Sequence, residues 1–422
     1  MVGSILSVSG PEVPKQILCL RSRYRPGVCQ ICGMKDLQVQ GKVVLKKGRE
    51  QSLLRFHPWI FSGAIDKLTP DLPDGSWVAV EDFSGKTIGS GHWQKGSISV
   101  RMVLFGRDFH PDIYKQKVAE AIRFRKSISL PDAQTNAWRL IHAEGDGLPG
   151  LIVDIYDRVA VVQAHDAGMS ADKDHIAEAV RLNLGDSITA IFFRDTNADS
   201  GHYIYGAAAA PAEVSEHGNK FLVDWEHGQK TGFFLDQREN RALLSTFARG
   251  RKVLNTFSFS GGFSVYALKG GAELVHSVDA SSSAISLCVQ NIRLNGFDPD
   301  VHRCYEEDTF DFLRSSESIY DLIVLDPPAF AKHKDARHQA MKGYQRLNAE
   351  AMKVIAPNGV LFTFSCSQVV DRQLFYDTVM SSAIQAGRQA RVIAHLSQPA
   401  DHPVSAFHPE GAYLKGLILH IS

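Results

Sequence analysis

The chain has 422 residues, with 46 Lys and Arg against 46 Asp and Glu, 44% hydrophobic residues and 22% charged ones. That is a soluble globular composition with core enough for two or three domains. No apolar run is long enough to span a bilayer and no signal-peptide pattern is visible, so a cytoplasmic protein without a membrane partner is expected. The zero net charge hides an asymmetry: residues 1–110 carry 15 basic against 9 acidic residues, the remainder 31 against 37. A basic N-terminal part suits a polyanion-binding module, although solvated surface charge accounts for a difference of this size as well. Six scattered cysteines (19, 29, 32, 288, 304, 366) form no disulfide framework and fit a reducing compartment.

Residues 1–40 show no periodicity and read as a disordered extension, with Met34 as an alternative start. Cys29-Gln-Ile-Cys32, with Cys19 upstream, supplies part of a zinc set without a fourth ligand nearby, so no metal is expected. From Gly41 to about Phe105 the chain is β-rich, with Pro-Asp-Gly-Ser and Ser-Gly-Lys turns between strands, as in a small barrel. At its head stand Lys46, Lys47, Arg49 and Arg55, followed by His57-Pro-Trp59-Ile-Phe. Cations interleaved with aromatics suit phosphate contact and stacking on unpaired bases, which makes these four with His57 and Trp59 candidate RNA contacts. A barrel core with solvated lysines gives the same pattern.

A helix over 112–127 follows. A strand, Gly/Pro turn and strand come next, in the stretch from Trp138 to Asp154. A strand at 159–163, a helix over 171–184 and a strand at 188–193 complete a small α+β unit. It shows no chemistry of its own, and Asp146 among its glycines reads as a turn residue. A hairpin over 213–223 leads to Lys230-Thr-Gly-Phe-Phe-Leu-Asp-Gln-Arg, where a helix begins. Beyond Lys252, strands near 252–257, 274–279, 302–305, 320–325, 359–365 and 414–421 alternate with helices, the signature of a doubly wound sheet.

Ligands of such sheets lie at the carboxyl ends of the strands. The first end gives Phe257-Ser258-Phe259-Ser260-Gly261-Gly262 and the second Asp279, about 20 residues on. This is the arrangement that cradles an adenosine-bearing cofactor and takes its ribose hydroxyls. The turn is not G-x-G-x-x-G, so a dinucleotide is not the natural ligand. The third end gives Glu306-Glu307-Asp308, the fourth Asp326-Pro327-Pro328-Ala329-Phe330 and the fifth Ser365-Cys366-Ser367. Each also has a plain structural explanation: Asp279 or Asp308 as helix caps, Asp326 as a strand stop before proline, Cys366 as a small buried hydrophobe.

Together these stretches resemble the PUA-domain class I S-adenosylmethionine-dependent methyltransferases that make 5-methylcytosine in large-subunit (23S-type) ribosomal RNA. The matching segments are 48–65, 138–154, 230–240, 253–265, 278–281, 321–330, 361–367 and 400–416. The resemblance implies a PUA barrel (41–110), a central α+β domain (111–210) and a Rossmann-like methyltransferase domain (211–422). It implies S-adenosylmethionine as cofactor, bound by Phe234, Asp236, Gln237, Arg241, Phe257, Ser258, Gly261, Gly262, Asp279, Asp308, Asp326 and Pro327. The turn departs mildly from the family's usual Tyr-Thr-Gly-Gly. The chemistry then asks for Cys366 as nucleophile on carbon 6 and Asp326 as the acid at ring nitrogen 3, with the base at carbon 5 unassigned. Ribosomal RNA is the expected partner, and a homodimer is compatible with this reading. An amine-directed or uracil-5 RNA methyltransferase, or a non-catalytic RNA-binding protein, are the alternatives.

Overall fold

The computed structural model describes residues 36–106, 109–195, 200–317, 319–331 and 333–422. The expectations for residues 1–35, with Cys19, Cys29 and Cys32, lie outside the described residues. Gln40, placed in the N-terminal extension by sequence, already bonds Trp77 through both its main chain and its side chain.

The first sheet holds β1 (Gly41–Leu45), β2 (Trp59–Phe61), β3 (Ile65–Leu68), β4 (Trp77–Glu81), β5 (Thr87–Trp93) and β6 (Ile98–Phe105), in the order β2-β6-β5-β4-β1-β3. Val43 and Leu45, Val78 and Val80, and Val100 and Met102 recur every second residue and close on Leu53 and Ile60 as one small core.

The helix Ile113–Ser127 leads to a five-stranded sheet of β7 (Ala137–His142), β8 (Leu151–Tyr156), β9 (Val159–Ala164), β10 (Ala190–Asp195) and β11 (Ser200–Tyr205). The expected strand, turn and strand are present as β7 and β8, but the sequence does not announce β11. Its residues are mostly exposed, so no apolar alternation marks it, and pairing to β10 alone makes it a strand. The hairpin β12 (Ala212–Glu216) and β13 (Asn219–Val223) follows.

The last sheet holds β14 (Lys252–Thr256), β15 (Leu274–Asp279), β16 (His302–Glu306), β17 (Tyr320–Leu325), β18 (Ile355–Ser365), β19 (Ala390–Leu396) and β20 (Lys415–Ile421), in the order β16-β15-β14-β17-β18-β20-β19. The five strands from β16 to β18 are parallel, and β20 runs antiparallel between β18 and β19. Both faces are covered, as near-continuous apolar strands require. Val253, Leu322, Val324, Val360, Phe362 and Ile418 pack on one side. Leu254, Ile323, Leu325, Leu361, Leu417 and Leu419 pack on the other. The chain enters at β14 in mid-sheet, winds outward to β16, then crosses back to β17. That reversal opens a crevice at the carboxyl ends of β14 and β17, where ligands of doubly wound sheets bind. The sequence does not announce β19 either: its residues alternate between half-buried and exposed along this edge, which weakens the apolar signal.

Candidate active site

The chain leaves β14 through a turn in which Phe257 (φ 53°), Phe259 (φ 43°) and Gly261 (φ 76°) all take positive φ. Such backbone is costly for side-chain-bearing residues and is held here by specific bonds. The Ser258 amide donates to the Val278 carbonyl (3.0 Å), and the Phe259 amide donates to Asp279 Oδ2 (2.9 Å). Asp279 Oδ1 accepts from the Ser281 amide (3.0 Å), so the carboxylate is fixed at the end of β15. Asn291, on the following helix Ser282–Leu294, donates to the Ser260 carbonyl (2.8 Å) and ties that helix to the turn.

Around this turn lies a cavity of about 340 Å³. Of the residues that sequence assigns to the cofactor, all but Gly261 line it. Gly261 faces the other way: a Cβ there would stand 2.5 Å from Cys288 Sγ. Ser258 Oγ is buried with no hydrogen-bond partner among the described residues, the kind of group a bound ligand satisfies. The cavity's small-residue turn, its fixed carboxylate and this orphan hydroxyl fit an adenosine-bearing cofactor. Asp308 caps the helix Thr309–Ser315, accepting from the Phe310 and Asp311 amides, and is exposed at the cavity edge. It is a helix cap and a cavity residue at once.

Arg241 is placed differently from the expectation of a ligand-binding cation. Its guanidinium is buried and spent on Glu216, at 2.7 and 2.9 Å, and on the Phe234 carbonyl at 3.0 Å. It positions the cavity wall, and Tyr266 completes the cluster by donating to Glu216 Oε1 (3.0 Å).

Asp326 and Cys366 follow the paired strands β17 and β18 and enter the same cavity. Gln237 Nε2 donates to Asp326 Oδ1 (3.0 Å) and is itself oriented by Asn240, which donates to its Oε1 (2.6 Å). Burial, then the nearby Asp236 charge, push the Asp326 carboxyl up to about 7. Asp236 goes the other way. Burial disfavours its charge, but Lys230, His402 and the Tyr413 hydroxyl outweigh that and keep it below the ordinary carboxylate range. Its Oδ2 accepts from Tyr413 (2.7 Å), while Oδ1 is buried without a partner among the described residues. Burial and then Asp326 push the half-buried Cys366 thiol up.

A second cavity, of about 890 Å³, shares Lys230, Phe233, Phe234 and Asp236 with the first. Its walls come from all three larger sheets and the segments beside them: Trp59 from the first, Arg139 and His142 from the second with His165 just after β9, and Lys415 from the last with Tyr413 just before it. The six candidate RNA contacts divide accordingly. Lys46, Lys47, Arg49 and Arg55 are exposed on the first sheet's domain. His57 and Trp59 are half-buried, with Trp59 packed on His408 (4.3 Å between rings) and donating to Glu144 (2.9 Å). Sequence reasoning missed Lys230, Tyr413 and Lys415, although all three lie within the 230–240 and 400–416 stretches that carry the resemblance.

Residues 186–419 match a family model described as S-adenosylmethionine-dependent methyltransferase, and residues 43–105 match one described as a PUA-like domain. Similar curated proteins include a ribosomal RNA large subunit methyltransferase I from Aeromonas hydrophila, 38% identical over 90% of this chain and 99% of that protein. Another so named, from Alteromonas mediterranea, is 37% identical over 91% of this chain and 100% of that protein. Among solved structures, one described as a SAM-dependent methyltransferase from Streptococcus mutans shares the fold. It is 22% identical, with a TM-score of 0.78 over 90% of this chain and 99% of that one. No helix among the described residues is long and apolar enough to cross a membrane.

Proposed function

The chain belongs to the S-adenosylmethionine-dependent methyltransferase family, with a PUA-like domain ahead of the methyltransferase fold, and from that premise we propose its reaction. It methylates carbon 5 of a cytosine in large-subunit ribosomal RNA through a covalent Cys366 adduct. The RNA class follows the names of its relatives. The chemistry rests on one observation: Cys366 and Asp326, from adjacent strand ends, open into the cavity that holds the glycine turn and Asp279.

S-adenosylmethionine supplies an electrophilic sulfonium methyl, which carbon 5 of an unactivated cytosine is too weak a nucleophile to attack. Phe234, Phe257, Ser258, Gly262 and Asp279 bind and orient the cofactor, with Asp279 on the ribose hydroxyls. Cys366, as the thiolate, adds to carbon 6 and makes carbon 5 enamine-like. Asp326 delivers a proton to ring nitrogen 3. With its carboxyl near 7, a large fraction is protonated at neutral pH, as that role needs. Gln237 occupies one Asp326 oxygen and leaves the other for the ring. After methyl transfer, an unassigned base takes the carbon-5 proton, Cys366 is expelled as the thiolate, and the nitrogen-3 proton returns to Asp326, which closes the cycle.

RNA containing 5-fluorocytosine should trap the wild-type protein covalently, because fluorine cannot leave as a proton does. Cys366→Ala should form no such complex and transfer no methyl, while binding S-adenosylmethionine as wild type does. Substantial methylation by Cys366→Ala would end the adduct mechanism. Mapping the product as an amine-methylated base or as 5-methyluridine would move the assignment to those chemistries.

A further inference from the structure

Behind the glycine turn lie two cysteines that the proposed chemistry does not use. Cys288 is buried on the helix Ser282–Leu294, and Cys304 is half-buried on β16, the edge strand of the last sheet. Their sulfurs are 3.8 Å apart, in contact and unbonded. His302, two residues before Cys304 on the same strand, brings Nε2 to 3.9 Å from each sulfur. The set is a thiol pair beside an imidazole rather than a metal cage. An ion held by both sulfurs and Nε2 would need that nitrogen's one in-plane lone pair, which is engaged with the Ser277 hydroxyl at 2.8 Å. Cys304 Sγ, 3.9 Å from Nε2 and 4.0 Å from Nδ1, lies off the axis of either nitrogen.

We infer that Cys288 and Cys304 form a reversible oxidation site, which takes hydrogen peroxide and closes to a disulfide that loosens the cofactor turn. The effect on the cofactor rests on the cavity proposed for it, whereas closure of the disulfide does not. The two thiols are unequal. The hydrogen bond with Cys288, and after it His302, outweigh partial burial and hold the Cys304 thiol below its ordinary range. The same bond and then burial keep Cys288 protonated. The more accessible sulfur is therefore the thiolate that meets peroxide, and the buried one resolves the product.

In the first step the Cys304 thiolate attacks one peroxide oxygen. An S–O bond forms, the O–O bond breaks, and hydroxide leaves and is protonated to water. In the second, Cys288 gives up its proton, with His302 the base within reach, and attacks the Cys304 sulfur. The S–S bond forms, the S–O bond breaks, and the departing hydroxide takes that proton. Two thiols are oxidised by two electrons and one peroxide is reduced to two waters. A disulfide sulfur pair stands about 2.05 Å apart, so the sulfurs must approach. Whichever moves, the cofactor turn feels it. Cys288 is packed so closely on Gly261 that a Cβ there would stand 2.5 Å from its sulfur. Asn291, on the same helix, donates to the Ser260 carbonyl at 2.8 Å. Cys304 pairs in register with Ser277, two residues before Asp279 on β15.

The test uses the full chain and needs no RNA, which separates it from the fate of the proposed reaction. Arg293 and Arg303 lie between the two cysteines, so trypsin puts them on different peptides. Wild type treated with hydrogen peroxide should yield these peptides cross-linked in a non-reduced digest, and dithiothreitol should release them. S-adenosylmethionine affinity, read by titration calorimetry, should fall about fivefold or more on oxidation and return on reduction. Cys304→Ala should bind the cofactor as reduced wild type does, before and after peroxide. Because that variant keeps Cys366, a loss it shares with wild type would place the damage at Cys366 and overturn the inference. No cross-linked peptide from wild type would overturn it as well, and this is read without any variant having to fold. So would a cross-link that leaves affinity unchanged, or stoichiometric zinc retained by the reduced protein against a chelator. Asp279→Ala, which touches neither thiol, tests the cavity by itself: undiminished affinity there would remove the cavity reading, while a missing cross-link removes only this inference.

Discussion

Asp326 and Asp236 share one cavity and are both carboxylates, yet their surroundings drive them apart. Asp326 has a single neutral donor, Gln237, and an acidic neighbour, whereas Asp236 has Tyr413 and nearby cations. The folded-state pKa of Asp326, about 7, lies above its ordinary value of 3.8. The folded protein therefore binds more protons than the unfolded chain between about pH 4 and 7. Stability contributed by this group falls as pH rises through that window. Each unit is worth about 1.4 kcal/mol, so the full cost above pH 7 is on the order of 2–4 kcal/mol once partial exposure is allowed for. Asp326→Asn removes the titration. Its melting temperature relative to wild type should climb between pH 5 and pH 8, while methyl transfer is lost throughout. A relative melting temperature that does not change with pH would show that Asp326 titrates normally. None of this is legible in the sequence: Asp-Pro-Pro marks a strand end, but only the fold shows that Gln237, 89 positions away, sets the proton's place.

At the scale of elements, the parallel strands are readable because burial on both faces leaves runs such as Leu322-Ile-Val-Leu325 with no polar interruption. β11 and β19 are not, because edge strands are half-exposed and their apolar pattern is weak. The glycine turn is readable in composition, while the division of labour between its glycines is not. Gly262 lines the cavity proposed for the cofactor, and Gly261 packs the turn against the helix that carries Cys288. Gly261→Ala meets two penalties: a positive φ of 76° and a methyl 2.5 Å from Cys288 Sγ. The first costs roughly 1–3 kcal/mol by itself. We expect Gly261→Ala to lower the melting temperature and weaken S-adenosylmethionine binding. Adding Cys288→Ala should recover part of both losses, because it removes the clashing sulfur but leaves the backbone strain. Full recovery would show that strain at Gly261 is negligible, and no recovery that the helix does not constrain the turn. Titration calorimetry with S-adenosylmethionine and thermal melts of the three variants decide between these.

Across the whole molecule, the second and third large sheets are joined by an ion lattice whose members stand far apart in sequence. Asp401 accepts from Arg238 at 2.7 and 3.0 Å and from the Arg139 amide at 2.9 Å, and its carbonyl accepts from Arg125 (2.9 Å). Arg139 in turn pairs with Asp154 on β8 at 2.7 and 2.9 Å. Asp146, which the sequence presents as a turn residue, is also the ion-pair partner of buried Arg125. Partners separated by 262 or 276 positions leave no local pattern, which is why the resemblance at 138–154 and 400–416 is visible in sequence while the reason for it is not. The larger cavity lies at this junction, with Arg139 and His142 of one sheet on its wall together with Lys415 of the other and Tyr413 just before it.

The first sheet's domain is a separate matter, because its exposed cations take no part in that cavity. Lys46 donates to the Gly63 carbonyl at 3.0 Å and Lys47 lies 5.6 Å from the Phe83 ring centre, interactions too weak to hold either charge away from a polyanion. If this face carries RNA, each phosphate it neutralises releases counterions, and binding steepens with falling salt. Replacing Lys46, Lys47, Arg49 and Arg55 together with Ala should flatten the log–log salt dependence by roughly 0.7–0.9 for each phosphate no longer neutralised. Affinity for S-adenosylmethionine should not change, since none of the four lines the cavity proposed for it. His57 and Trp59 give an internal contrast. Trp59→Ala removes a wall of the larger cavity and its bond to Glu144, so it should lower turnover without altering the salt slope. RNA binding measured at several salt concentrations separates the two. An unchanged slope in the fourfold variant would mean that these charges are solvated surface and that RNA is held elsewhere.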